Sequence, residues 1–281
     1  MQRRAVNIAV SAIAIFALAA CGGSHNNSDP DAPHVQSPER QSEAEYDLAR
    51  DYFSKGSPRG ALDHALKAVQ LNDDNAKALY LTSAIYLSFC STDLGFSSPD
   101  CKIDSAEKYA RAALKADSAF RDARNLLGQV LILAKKYDEA IAILKPLAAD
   151  PAYASSFLAW GNLGWAQVLR GNLDEGIISL KNSVTQPRFC VGFYRLGVAY
   201  EKKADPAQAE QNFSSALAIE SPDCQNLQDA WEARGRARLK LGNVTGARGD
   251  FEKCRDISSS SPTGKACVAM LAGNAPASAS K

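Results

Sequence analysis

Histidine is scarce in this chain of 281 residues: there are three, and two of them, His25 and His34, fall in a polar stretch near the start. No set of titratable groups has the spacing of a catalytic constellation, and no ligand set marks a metal site. Charge of one sign is missing as well. The formal net charge is +1, and losing Arg3 and Arg4 with a leader lowers it by two. Binding to a phosphate backbone needs a basic field, so nucleic acid is excluded as the main partner. Nothing calls for a cofactor or a small-molecule substrate, and the expectation is a non-enzyme.

What is present is a hydrophobic content of 46%, rich in alanine, arranged as a repeat. The clearest copy runs from about Leu158 to Pro187, with helix A in FLAWGNLGWAQVLRG and helix B in LDEGIISLKNSV. Trp160, Leu163 and Gln167 share one helical face, and Gly164 lets the partner helix approach. With Gly171 at the turn, this resembles the tetratricopeptide-repeat (TPR) signature. Small helix-A markers recur at Ala49, Ser83, Gly128, Gly164, Gly197 and Gly235, in steps of 34, 45, 36, 33 and 38. The family period is about 34. A small residue of helix B follows twelve positions after the marker, as in Ala61, Ala140, Gly176, Ala209 and Ala247. Gly-Asn pairs at 171–172 and 242–243 end helix A, and Pro151, Pro187 and Pro222 stand between copies, where helices stop. The expected fold is therefore all-α: a TPR α-solenoid of six helix-turn-helix repeats over 42–262, a capping helix at 263–273 and a disordered tail at 274–281.

The N-terminus reads MQRR, then AVNIAVSAIAIFALAA, then Cys21. A basic start, a short apolar run and small residues at its end predict an export signal over 1–20. The run is too short for a transmembrane helix. Leu18-Ala19-Ala20-Cys21-Gly22 resembles the bacterial lipobox, which implies diacylglycerol on the Cys21 sulfur, cleavage before it and acylation of the new amino group. By the same resemblance Gly22 favours delivery to the outer membrane, and multiple acyl chains anchor firmly where one alone is marginal. Residues 21–41, polar and rich in Gly, Ser, Asn, Asp and Pro, predict a disordered tether with a reach of about 25 Å.

The long step of 45 carries about eleven residues beyond the period, inside copy two, bracketed by Cys90 and Cys101. In an exported protein such a pair reads as a disulfide closing a loop. Leu94 and Phe96 within it either meet a partner or pack on the neighbouring repeat. Apart from Cys21, six cysteines remain, which permit fifteen pairings. Stacking of copies five and six places Cys190 near Cys224, and the cap places Cys267 near Cys254. No His/Asp set accompanies any of them, which leaves nucleophilic catalysis without support.

Helix A of each copy lines the inner side of a TPR solenoid. The positions between packing markers are Tyr46, Arg50, Phe53, Tyr80, Ala84, Leu87, Asn125, Gln129, Ile132, Trp165, Val168, Tyr194, Val198, Glu232 and Arg236. Part of this set lines a groove and part is core. Phe53, Tyr80, Leu87, Trp165 and Tyr194 are the expected partner contacts, in a groove with many aromatics, few charges and no cluster for clamping a C-terminal carboxylate.

A lipobox followed by six TPRs resembles the type IV pilus pilotins, the PilF/PilW/Tgl family, and the pinned STDLGFSSPDC insertion resembles the myxobacterial Tgl branch. The resemblance spans about residues 18–270. It implies a lipoprotein on the outer membrane, facing the periplasm, that holds secretin subunits while the pilus secretin inserts and oligomerises, in support of pilus-driven motility. The alternative, from another class, is a TPR lipoprotein that organises cell-wall synthesis or outer-membrane protein insertion.

Overall fold

The computed structural model describes residues 37–90 and 99–273. Cys21, the leader, most of the tether, Leu94 and Phe96, and the 274–281 tail lie outside the described residues. Within them the chain is helical throughout, in six antiparallel pairs. The pairs are α1 (Pro38–Ser54) with α2 (Pro58–Leu71), α3 (Ala76–Cys90) with α4 (Ile103–Ala116), and α5 (Arg121–Leu133) with α6 (Tyr137–Ala148). They continue as α7 (Ser156–Arg170) with α8 (Leu173–Ser183) and α9 (Cys190–Lys202) with α10 (Pro206–Leu217). After the short α11 (Pro222–Gln225) come α12 (Gln228–Lys240) with α13 (Val244–Ile257), and then the cap α14 (Pro262–Leu271).

One sequence expectation is corrected and one extended. The tether stops short of residue 41, because Ser37 caps α1 by accepting from the Arg40 amide, with Pro38 and Glu39 in the first turn; that is a helix-start chemistry. Ser42, where the repeats are expected to begin, is buried and donates to the Ala68 carbonyl at 2.8 Å, tying α1 to α2. Pro222 does more than separate repeats. It opens α11, a single turn that accounts for the wider last step.

Each pair closes by burying its small markers. Gly164 and Gly176 face each other, and a Cβ built on Gly164 would stand 2.9 Å from the Gly176 carbonyl oxygen. Backbone meets backbone there, so α7 and α8 pack as closely as helices can. Ser83 in the second repeat does the same work with a hydrogen bond, donating to the Ala106 carbonyl at 2.7 Å.

The turns share one geometry. Seven residues after the marker the chain turns left-handed, at Gly56, Lys135, Gly171, Ala204 and Gly242, with φ of 72°, 60°, 101°, 58° and 78°. Helix B then starts two residues later. In the second repeat that place falls to Cys90, which is bonded to Cys101, and α4 starts two residues after Cys101. The two Cα atoms are 4.6 Å apart, little more than the 3.8 Å of consecutive residues. The insertion therefore leaves and rejoins the repeat at one point, and the disulfide stands where the left-handed residue stands elsewhere.

Successive A helices touch one another (α1–α3, α3–α5, α5–α7, α7–α9, α9–α12), whereas successive B helices make no comparable contact. The A side is thus the tighter, inner side of the stack.

Candidate functional site

The inner face is assembled from α1, α3, α5, α7, α9 and α12. Phe53 lies on the cluster of Ala49, Ala61, Ile85 and Phe89. The Tyr80 ring tilts against Phe120 at 5.0 Å between centroids, and Leu87 packs beside Tyr86, Ala106 and Val130. Trp165 bridges the core of the middle repeats and that of α8–α9. Tyr194 leans on Phe213 at 5.9 Å and on Ala209, Ala233 and Ala237. All five are half-buried, anchored at the base with an edge left to solvent. Three other positions read as groove lining are core: Ile132, Val168 and Asn125 are only 6%, 2% and 7% exposed. Neighbouring A helices close over them, a contact that repeat spacing does not encode.

A polar line crosses this face and links three repeats. Asn162 of α7, 2% exposed, donates from Nδ2 to Asn125 Oδ1 of α5 at 3.0 Å. Arg195 of α9 donates from Nη1 to Asn162 Oδ1 at 2.9 Å and to the Gly161 carbonyl at 3.2 Å. Its guanidinium lies 5.7 Å from the centre of the Trp165 ring, within cation–π range. Burial pulls the guanidinium down to about 10. Beside it, burial and then the nearby Asp229 and Glu232 carboxylates push the Tyr194 phenol up, so its hydroxyl keeps its proton. Arg195 and Asn162 escaped the sequence reading because they sit one position away from the sampled register. The available signal was a single arginine inside the otherwise apolar helix CVGFYRLGVAY.

Toward α12 the face changes character. Glu201 accepts from Lys240 at 3.1 Å and from Arg236, and Arg236 also donates to Glu232 at 2.7 Å. Burial raises the Glu232 carboxyl, with Arg236 opposing. The expectation of few charges therefore describes the α3–α7 stretch, and the α9–α12 stretch carries paired ones.

The cysteines join as Cys90–Cys101, Cys190–Cys224 and Cys254–Cys267. Cys190 is the first residue of α9 and Cys224 lies in α11, so this bond staples the two ends of the fifth repeat. Among the described residues no group of three or more His, Cys, Asp or Glu side chains could hold a metal ion, and no helix is long and apolar enough to cross a membrane.

Comparison with known proteins agrees with this architecture. The tetratricopeptide-repeat family profile matches residues 102–154 and 194–262. No curated protein matches the sequence. Among solved structures, PilW, described as a widely conserved type IV pilus biogenesis factor, aligns with a TM-score of 0.66 at 20% identity, covering 84% of this chain and 100% of that one. Pseudomonas aeruginosa PilF aligns with a TM-score of 0.63 at 15% identity, again over 84% of this chain and 100% of that one. A chain of the APC/C hetero-tetramer Cut9–Hcn1 aligns with a TM-score of 0.68 at 13% identity, over 84% of this chain and 43% of that one. At such identities the likeness is one of fold. The described chain is a solenoid of tetratricopeptide repeats, six in number and capped, and it shares its fold with PilW and PilF.

Proposed function

We propose that this protein is a pilotin: a lipoprotein held at the periplasmic face of the outer membrane through Cys21, whose TPR groove retains secretin subunits during assembly of a type IV pilus. The observation that carries the reading is that the array aligns with PilW and PilF over the whole of those chains. The lipobox-like Leu18–Gly22 and the pinned insertion add to it from the sequence side. A scaffold at the membrane acts by concentration. Anchoring confines it to the plane where secretins insert, and each captured subunit meets the next at a raised effective concentration. Groove aromatics supply contact area with little rotamer entropy to lose.

Deleting the gene tests the reading. Heat-resistant secretin multimers are expected to disappear from outer-membrane fractions while secretin monomer persists and the rest of the envelope stays intact. Unchanged multimers, or a general envelope defect, overturn it. Cys21→Ser is expected to lose acylation and membrane association, read by mass spectrometry and fractionation.

A further inference from the structure

The groove holds one cation without a counter-charge. Among the described residues no carboxylate lies within ion-pairing reach of Arg195, whereas Arg234, also half-buried on the next A helix, has one and Arg236 and Arg238 there have two each. Its polar contacts are the Asn162 side chain and the Gly161 carbonyl, both reached through Nη1. Among the described residues the Nε and Nη2 protons have no acceptor. Burial depresses the guanidinium, the direction expected of a cation held without a counter-charge. Asn125 and Asn162 hold the fork in place from below while Trp165 supports its face. The socket is thus prepared for an anion. Trp165 beside it, and Tyr194 and Val198 of its own helix, make the walls partly apolar.

We propose that Arg195 pairs with an aspartate or glutamate side chain within an amphipathic segment of the partner polypeptide, with apolar neighbours of that acid resting on Trp165 and Tyr194. Charge complementarity selects this occupant, since the free donors form one planar fork that fits a single carboxylate. The inner face continues past Arg195 in both directions, toward α5 and toward α12, so a chain can run through. An internal acid fits such a groove better than a chain end. The inference rests on the groove being the partner site, as the pilotin reading also does, but its first test needs no secretin.

The probe is a displayed library of random 12-residue peptides, selected on the full chain in detergent. Peptides that enrich are expected to share one acidic residue flanked by apolar ones. Changing that acid to its amide should weaken binding about tenfold or more on the wild type and less than about twofold on Arg195→Met. Arg195→Met is expected to fold at least as well as the wild type, because it removes an uncompensated charge. Arg195→Lys serves as the second variant and should bind with intermediate affinity, having lost the fork. Enriched peptides without an acid, affinities that ignore both variants, or a failure to enrich any sequence would overturn the proposal. So would binding that vanishes when the peptide C-terminus is amidated, which would assign the socket to a chain end. Secretin capture that survives in Arg195→Met would overturn this proposal and leave the pilotin reading standing.

Discussion

The third and sixth repeats solve one packing problem with opposite chemistry. In the third, Leu127 and Leu131 of α5 face Ile143, Leu144 and Leu147 of α6 in an almost wholly apolar core. The same repeat positions in the sixth hold Arg234 and Arg238 on α12, and Asp250, Phe251 and Cys254 on α13. A glycine admits the large residue in both, Gly128 for Leu144 and Gly235 for Phe251. Beside Phe251, however, Asp250 is 2% exposed and accepts from Arg234 at 2.7 Å and from Arg238 at 3.0 Å, while Arg238 reaches on to Glu210 of α10. An interior repeat is covered by neighbours on both sides and gains from apolar burial alone. The sixth has a fifth repeat on one side and only the ten-residue α14 on the other. It has less apolar surface to bury, and it is held by ions and by the Cys254–Cys267 bond. Apolar packing tolerates approximate geometry, whereas a buried ion cluster works only in one arrangement.

The contrast is most exposed to breakage at Asp250. Asp250→Ala leaves Arg234 without a carboxylate and Arg238 with Glu210 alone, and should cost about 3–5 kcal/mol, read as lost hydrogen-exchange protection in α12–α14. Leu144→Ala, its counterpart in kind, should cost about 2–5 kcal/mol through the cavity it leaves. The sharper form replaces the cluster whole. Arg234→Leu, Arg238→Leu and Asp250→Ile together should come out near neutral, and a large loss would show that the ions hold the sixth repeat by something other than mutual neutralisation.

Next in size is the cross-link. Cys254→Ser with Cys267→Ser should lower protection of α13 and α14 by about 2–4 kcal/mol and leave α5 and α6 unmoved, because each repeat contacts only its neighbours. Removing residues 91–101 together with Cys90→Gly should, by contrast, leave the helical circular dichroism per residue unchanged, since the second repeat then acquires the ordinary left-handed turn.

Two carboxylates extend the comparison to pH. Glu107 of α4 is 9% exposed. Burial works against its charge, but Lys136 and Arg111 more than offset it, and its carboxyl lies below the ordinary 4.5. Its contribution is present above 4.5 and is lost as pH falls through the depressed value. Glu107→Gln should therefore flatten the acid limb of a stability profile. Burial raises Glu232, so its contribution is present below 4.5 and fades as pH rises through the folded value. Glu232→Gln should raise stability at neutral pH and change little in acid; equal behaviour of the two variants would contradict the assignment. The smallest effect belongs to the turns. Lys135→Gly and Ala204→Gly, at the two left-handed places without glycine, should each add about 0.5–1 kcal/mol.

The period, the glycine turns and the alanine markers were legible because helix pairing depends on local pattern, and that pattern placed all six repeats and the cap. The insertion showed itself as a break in the period, and cysteine count with stacking order sufficed to suggest partners. The site was less legible. Phe53, Tyr80 and Trp165 could be named from register alone, but Ile132 and Val168 follow the same register and lie in the core, because burial depends on how closely adjacent A helices approach. Asn125, Asn162 and Arg195 are separated by more than thirty residues along the chain and meet in one hydrogen-bonded line. The amino-acid order thus determined the repeat, its turns and its ends, which are local properties of backbone and side-chain size. Only the tertiary structure decided which arginines find a counter-charge, because that depends on what stacking brings within about 4 Å.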